Sequence, residues 1–257
     1  MPQVIPKRQN LFPSQQLTSQ ITTLLFDCDN TLVLSESLAF EACAELANEI
    51  LASRGIADRY TGPQLLSEFV GQNFRGMITN LKAKYHYEME EAELEKYVTR
   101  EEDQVIAKLK AKLQSCEGVD DVLPGLEGKY TLAVVSSSAL RRVVASVEKV
   151  GQDKYFAERV FSAASSLPKP TSKPDPAIYL WAMEKLGVKA SECVAIEDSR
   201  SGTLSGVRAG IRVVGYVGSY DEHEKEKMRA TLKESGAKPI MEHWQEFEGV
   251  LKAIESE

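Results

Sequence analysis

At 257 residues and 43% hydrophobic content, the chain is long enough to bury a large α/β core and one smaller domain. A formal charge of −7 without a basic stripe argues against nucleic acid or an anionic membrane surface as the main partner, and no apolar stretch approaches the length of a membrane span. The four cysteines form no C-x-x-C pair and the three histidines sit in polar, charged stretches, which weakens the case for a disulfide framework, a zinc site or a Ser-His-Asp triad.

The chain opens with residues 1–20, rich in Gln and Ser, carrying Lys7 and Arg8 and no acidic residue. This composition predicts a disordered extension. Its lack of acids leaves an organellar address open, although it has little arginine and little amphipathic pattern.

Ile21 and Leu24 to Phe26 then read as a short strand buried on both faces, ending in Asp27-Cys28-Asp29-Asn30-Thr31-Leu32. In open α/β sheets the carboxyl ends of strands are where ligands bind. Alternation along extended backbone lets Asp27 and Asp29 point to one side while Cys28 points into packing. Two such carboxylates repel unless a cation lies between them, and a hard divalent ion such as Mg²⁺ suits oxygen donors. Taken alone, the pair fits equally well with a helix cap followed by a surface turn residue.

Next, Ser35 is expected to cap a helix over 36–54, closed by Gly55, and further helical patterns follow at 63–70, 74–84 and 90–113. No strand interrupts them, so residues 36–114 read as an all-helical insert between 21–35 and 115–257. The acidic run from Glu88 to Glu93 reads as a solvated helix start favoured by the helix dipole. Pro124-Gly125 is expected to break the chain before a strand over 131–135, and Ser136-Ser137-Ser138 leads into a helix over 139–150. Alternation continues with a strand near 159–161, a proline-rich loop holding Lys173, a helix over 177–186, a strand over 193–196 and a helix over 202–209. A strand over 212–216 comes next, and the remaining tail is expected to be helical. Strands alternating with helices predict a doubly wound, Rossmann-like parallel sheet.

Four segments together carry a resemblance. Asp27-Cys28-Asp29-Asn30-Thr31, Ser136 after a strand, Lys173-Pro174-Asp175-Pro176, and Glu197-Asp198-Ser199 stand in the order and local contexts of the haloacid dehalogenase-like hydrolase superfamily. The chain is similar to that family from about Leu24 to Gly218. Its helical insert resembles the cap of the phosphoglycolate-phosphatase and β-phosphoglucomutase branch. Asn30 stands where glycine is commonest in the family, and it is among the residues that tolerate left-handed backbone.

The resemblance implies a Mg²⁺-dependent phosphatase acting on a small phosphorylated metabolite. Asp27 would be the nucleophile, Asp29 the general acid and base, and Lys173 a partner of phosphate and of Asp27. The metal would be held by the side chains of Asp27 and Asp198 and the backbone carbonyl of Asp29, with Glu197 acting through water. Thr31, Ser136 and Ser137 would serve the phosphate and its loop. Arg75, in the cap segment Gly71 to Gly76, is a candidate for gripping the substrate, and equally a surface arginine. A phosphomutase on the same aspartate is the enzyme alternative, disfavoured by Ala139 and Leu140 where mutases of the branch carry polar residues. A phosphoryl-accepting signalling or binding protein is the alternative of another class, disfavoured by the long insert. A cytoplasmic monomer or weak homodimer, with no nucleic-acid or membrane partner, completes the expectation.

Overall fold

Small and β-branched residues dominate the segments that become strands. In the computed structural model, which describes residues 20–69 and 72–256, they assemble one parallel sheet. Its strands are β1 (Thr23–Phe26), β2 (Thr131–Ser136), β3 (Val160–Ser162), β4 (Cys193–Glu197), β5 (Arg212–Tyr216) and β6 (Ile240–Met241), in the order β3-β2-β1-β4-β5-β6. Leu25 of β1 lies opposite Ala133 of β2 on one side and Ala195 of β4 on the other. Sequence order runs outward in both directions from β1, so the crevice at its carboxyl end is the topological switch point.

Period-two alternation sorts each strand between two layers. Leu24 and Phe26 join Val134, Ile196 and Val214 in one apolar core, whereas Leu25 joins Val135, Ala195 and Val213 in the other. Phe26 meets Phe156 edge-on at 5.8 Å between ring centroids and Trp244 at 6.1 Å. Burying an aromatic or aliphatic side chain of this size contributes about 1.5–3 kcal/mol. The residue that precedes Asp27 is therefore held on a rigid wall.

Between β1 and β2 the chain forms helices α1 (Glu36–Ser53), α2 (Gly62–Glu68), α3 (Phe74–Tyr85), α4 (Glu91–Lys112) and α5 (Val119–Leu126). The first four share an apolar core built around Leu46, Ile50, Leu65, Phe74, Ile78 and Leu81. The N-terminal end of α1 and the C-terminal part of α4 instead face the main core through Leu38, Ala42, Val105 and Leu109. The chain enters and leaves this helical group side by side. Leu34 N–H donates to the Gln114 carbonyl at 2.9 Å, and Cys116 N–H donates to the Leu32 carbonyl at 2.9 Å.

Helices α6 (Leu140–Lys149), α7 (Asp153–Phe156), α8 (Ala177–Leu186), α9 (Arg200–Arg208), α10 (Glu222–Glu234) and α11 (Phe247–Glu255) cover the sheet. Three expectations need correction. Pro124 lies inside α5, where burial of Val119, Leu123 and Leu126 outweighs the hydrogen bond that proline removes. Ser35 precedes α1 but makes no side-chain cap, because its hydroxyl is bonded to Asp29. The tail is not wholly helical: β6 adds two residues to the sheet edge, too few to show any periodicity. The expected N-terminal disorder over residues 1–19, and the Val70 and Gly71 portions of the cap expectations, lie outside the described residues.

Candidate active site

Asp27 is the first residue beyond β1. Its backbone N–H still donates to the Ile196 carbonyl, at 3.0 Å, so the carboxylate is set by the sheet itself. Lys173, from the loop before α8, donates to Asp27 Oδ1 at 2.5 Å, to Glu197 Oε1 at 2.6 Å and to the Val135 carbonyl at 2.7 Å. All three ammonium donors are thus committed. Tyr179 O–H also donates to Glu197 Oε1. Glu197 is fully buried at the end of β4, and its Oε2 lies against Gly202. With Lys173 and Tyr179 both on Oε1, the Glu197 carboxylate anchors the lysine.

Asp29 belongs to a second set of partners. It accepts from Ser35 Oγ, and from Ser138 Oγ at 2.7 Å, with the Arg142 guanidinium 3.9 Å away. Asn30 takes the left-handed conformation, φ 58°, and its amide donates to Glu36 Oε2 at 2.8 Å. The turn therefore survives the absence of glycine, as expected of Asn.

These two environments separate the two aspartates. Burial pushes the Asp27 carboxyl up to about 8, against the pull of Lys173 and with help from Glu197 and Asp29. Burial raises Asp29 too, but Arg142, Ser35 and Ser138 outweigh it and hold that carboxyl below its ordinary value. Asp198, which follows β4, is raised well above the usual carboxylate range by burial and by Asp27, Glu197 and Glu36. The Tyr220 hydroxyl donates to Asp198 Oδ2 at 3.2 Å. Burial opposes the Lys173 charge, yet Asp27 and Glu197 prevail and keep it an ammonium.

Carboxylate oxygens of Asp27, Glu197 and Asp198 lie within 4.8 Å of one another. One lysine faces three buried carboxyl groups there, so a single ammonium cannot balance this set of hard oxygen donors once they ionise. That donor set fits a divalent cation such as Mg²⁺.

The crevice has a volume of about 830 Å³ and is lined by Asp27, Asp29, Ser137, Ser138, Lys173 and Asp198 from the core, and by Glu36, Phe40, Cys43, Gln72, Phe74 and Glu101 from the helical group. Three expected site residues do not line the crevice. Thr31 is fully buried behind the turn, its hydroxyl without a partner among the described residues. Ser136 is fully buried; its Oγ accepts from Ser138 N–H at 3.0 Å and donates to Asp29 Oδ2 at 3.5 Å, so it reaches the site through that carboxylate. Arg75 lies on the outside of the helical group, joining α3 to α4 through ion pairs with Glu91 and Glu95. Ser137 does line the crevice, and its Oγ accepts from Lys173 N–H at 3.1 Å.

Sequence reasoning passed over Ser138 and Arg142. Alternation offered a signal for Ser138, since in a run of three serines the first and third share a side. Arg142 offered none beyond its place in the first turn of a helix that starts beside the site.

Residues 24–216 match the family model described as haloacid dehalogenase-like hydrolase. The chain belongs to that family. Among curated haloacid dehalogenase-like relatives, it is 28% identical over 242 residues to the phosphorylated carbohydrates phosphatase of Thermotoga maritima, covering 90% of this chain and 98% of that one. It is 27% identical over 212 residues to the 6-phosphogluconate phosphatase of Escherichia coli, covering 80% and 86%. A solved haloacid dehalogenase-like hydrolase of Entamoeba histolytica superposes with a TM-score of 0.71 at 22% identity, over 91% of this chain and 99% of that one, a likeness of fold.

Proposed function

We propose that this hydrolase is a Mg²⁺-dependent phosphatase of small phosphorylated metabolites, sugar phosphates or phosphoglycolate-like esters, working through an aspartyl-phosphate. The observation that carries this reading is the separation of two neighbouring carboxylates into different environments, Asp27 on a buried lysine and Asp29 among hydroxyls and a guanidinium. The roles rest on these settings and not on the sense of the shifts, since Asp27 is the raised carboxyl and Asp29 the lowered one; with a divalent cation bound, Asp27 would give up its proton and present the carboxylate that attack requires. The names of the two curated relatives support the substrate class.

In this reading Asp27 attacks phosphorus and the ester P–O bond breaks. Lys173 occupies Oδ1, and no hydrogen bond to Oδ2 occurs among the described residues, so that oxygen is available for attack. Asp29 gives its proton to the departing alkoxide, then removes one from the water that attacks the phospho-aspartate, regenerating Asp27. Such acid–base work contributes roughly 10²–10⁴-fold in rate. Asp29 rests ionised, so it must gain its proton with the substrate; a phosphate monoester carries one below its second pKa of about 6 and adds the negative charge that raises the carboxyl. Asp27 and Asp198 side chains, with the Asp29 carbonyl, would hold Mg²⁺, which when bound offsets phosphoryl charge.

The test is incubation with Mg²⁺ and a panel of phosphoglycolate, sugar phosphates, glycerol phosphates and nucleotides, following both free phosphate and sugar-phosphate isomers. Phosphate release that disappears with EDTA and in Asp27→Asn is the expected result. Isomerisation without net release would replace this reading with a phosphomutase.

A further inference from the structure

The Arg142 guanidinium makes no hydrogen bond to any described residue, although the side chain is only 20% exposed and its Nε is buried without a partner. A guanidinium withdrawn from water with its donors unused is costly, and a ligand that accepts from it recovers that cost. The crevice around it is otherwise acidic. Among its described lining residues Asp27, Asp29, Glu36, Glu101, Glu102 and Asp198 carry carboxylates, against the cations Lys173 and Arg142. Lys173 has no donor to spare. Arg142 is therefore the cation in the crevice with hydrogen bonds to give.

Its position fixes what it can reach. Arg142 lies in the first turn of α6, just beyond Ser138, and its Nη2 stands 3.9 Å from Asp29 Oδ1. An ester oxygen that takes a proton from Asp29 brings its nearest substituents beside that guanidinium.

We propose that Arg142 is the specificity-determining residue for the alcohol part of the substrate, selecting phosphoesters that carry a second anionic group close to the ester oxygen. A planar guanidinium suits either a carboxylate or a second phosphate, gripped through two parallel hydrogen bonds. This inference rests on the phosphatase reading and adds a substrate requirement to it.

Three esters of one carbon skeleton test it: phosphoglycolate, with a carboxylate; ethylene glycol bisphosphate, with a second phosphate; and 2-hydroxyethyl phosphate, with a neutral hydroxyl. The wild-type enzyme should favour one or both charged esters over the neutral one in kcat/KM, and the better of the two identifies the anion. Arg142→Gln should reduce that charged-to-neutral ratio by about 10–100-fold, as expected for loss of a charge-assisted pair. Arg142→Lys, which keeps the charge and loses the fork, should fall between. Because the comparison is a ratio, a loss of folded enzyme cancels, and a pH profile of each ester's kcat/KM separates any change at Asp29 from the loss of the grip. An unchanged ratio in Arg142→Gln, or a wild-type enzyme indifferent to the second charge, overturns the proposal while leaving the phosphatase reading intact. A folded wild-type protein that releases phosphate from none of the three, nor from p-nitrophenyl phosphate, overturns both.

Discussion

The Glu197 side chain occupies the space that a Cβ on Gly202 would need: a methyl built there would lie 1.7 Å from Oε2. Alanine at position 202 in α9 should gain about 0.5–1 kcal/mol from helix propensity alone. The Glu197 carboxylate cannot retreat freely, because Lys173 and Tyr179 both bond its other oxygen. Gly202→Ala is therefore expected to destabilise the protein, by about 1–3 kcal/mol, and to lower turnover by shifting Lys173. Urea denaturation checks it; a stabilised variant would show that Glu197 is free to move.

Lys173→Met removes the cation shared by Asp27 and Glu197. Breaking a buried ion pair on one side leaves uncompensated charge and costs about 3–5 kcal/mol. Adding Glu197→Gln should restore part of the loss, since the two residues are in contact and their effects are not additive. A double variant no more stable than Lys173→Met alone would place the cost elsewhere.

Asp27→Asn keeps the shape of the side chain and removes the nucleophile. Turnover should fall by about 10³-fold or more, while the fold, read by circular dichroism, persists. Hydrolysis at a near-normal rate would transfer the nucleophilic role to another group.

Stability should depend on pH in a direction that a divalent cation reverses. The folded-state pKa of Asp27 is raised to about 8, and that of Asp198 is raised as well. Their contribution is complete below the ordinary carboxylate value and is lost as pH rises through the folded values. Without cation, Tm should fall from pH 5 to pH 8; Mg²⁺ should raise it more at pH 8 than at pH 5. Calorimetric titration with Mg²⁺ at pH 7 should release protons. A Mg²⁺ shift independent of pH would contradict this.

Arg75→Ala separates the outside of the helical group from its crevice. The ion pairs to Glu91 and Glu95 are exposed, and such pairs contribute about 0–1 kcal/mol. Activity within about twofold of wild type is expected in a phosphate-release assay. A large loss would bring Arg75 back to the substrate.

Much of this arrangement can be read along the chain because strand ends announce themselves. An apolar run that stops at a polar pair locates Asp27 and Asp29, and again Glu197 and Asp198, and the switch point follows from the α/β alternation. The misreadings share a physical cause: a side chain's destination depends on partners remote in sequence. Ser35 looks like a cap until Asp29 is seen to claim its hydroxyl. Arg75 looks available until α4 brings two glutamates to it. Ser136 and Ser138 both reach Asp29 Oδ2, at 3.5 and 2.7 Å, as alternation along the run allows, and it takes the fold to show that Ser138 is the one lining the crevice.

The paired backbone at Leu34–Gln114 and Leu32–Cys116 makes the helical insert a cassette, plugged into the core through one narrow socket. A lid from another member of the family, spliced at these residues, would meet the same two connecting segments and the same aspartates. Arg142 would stay behind with the core. Such chimeras would divide substrate preference into the portion that travels with the lid and the portion that is native to the chamber beneath it.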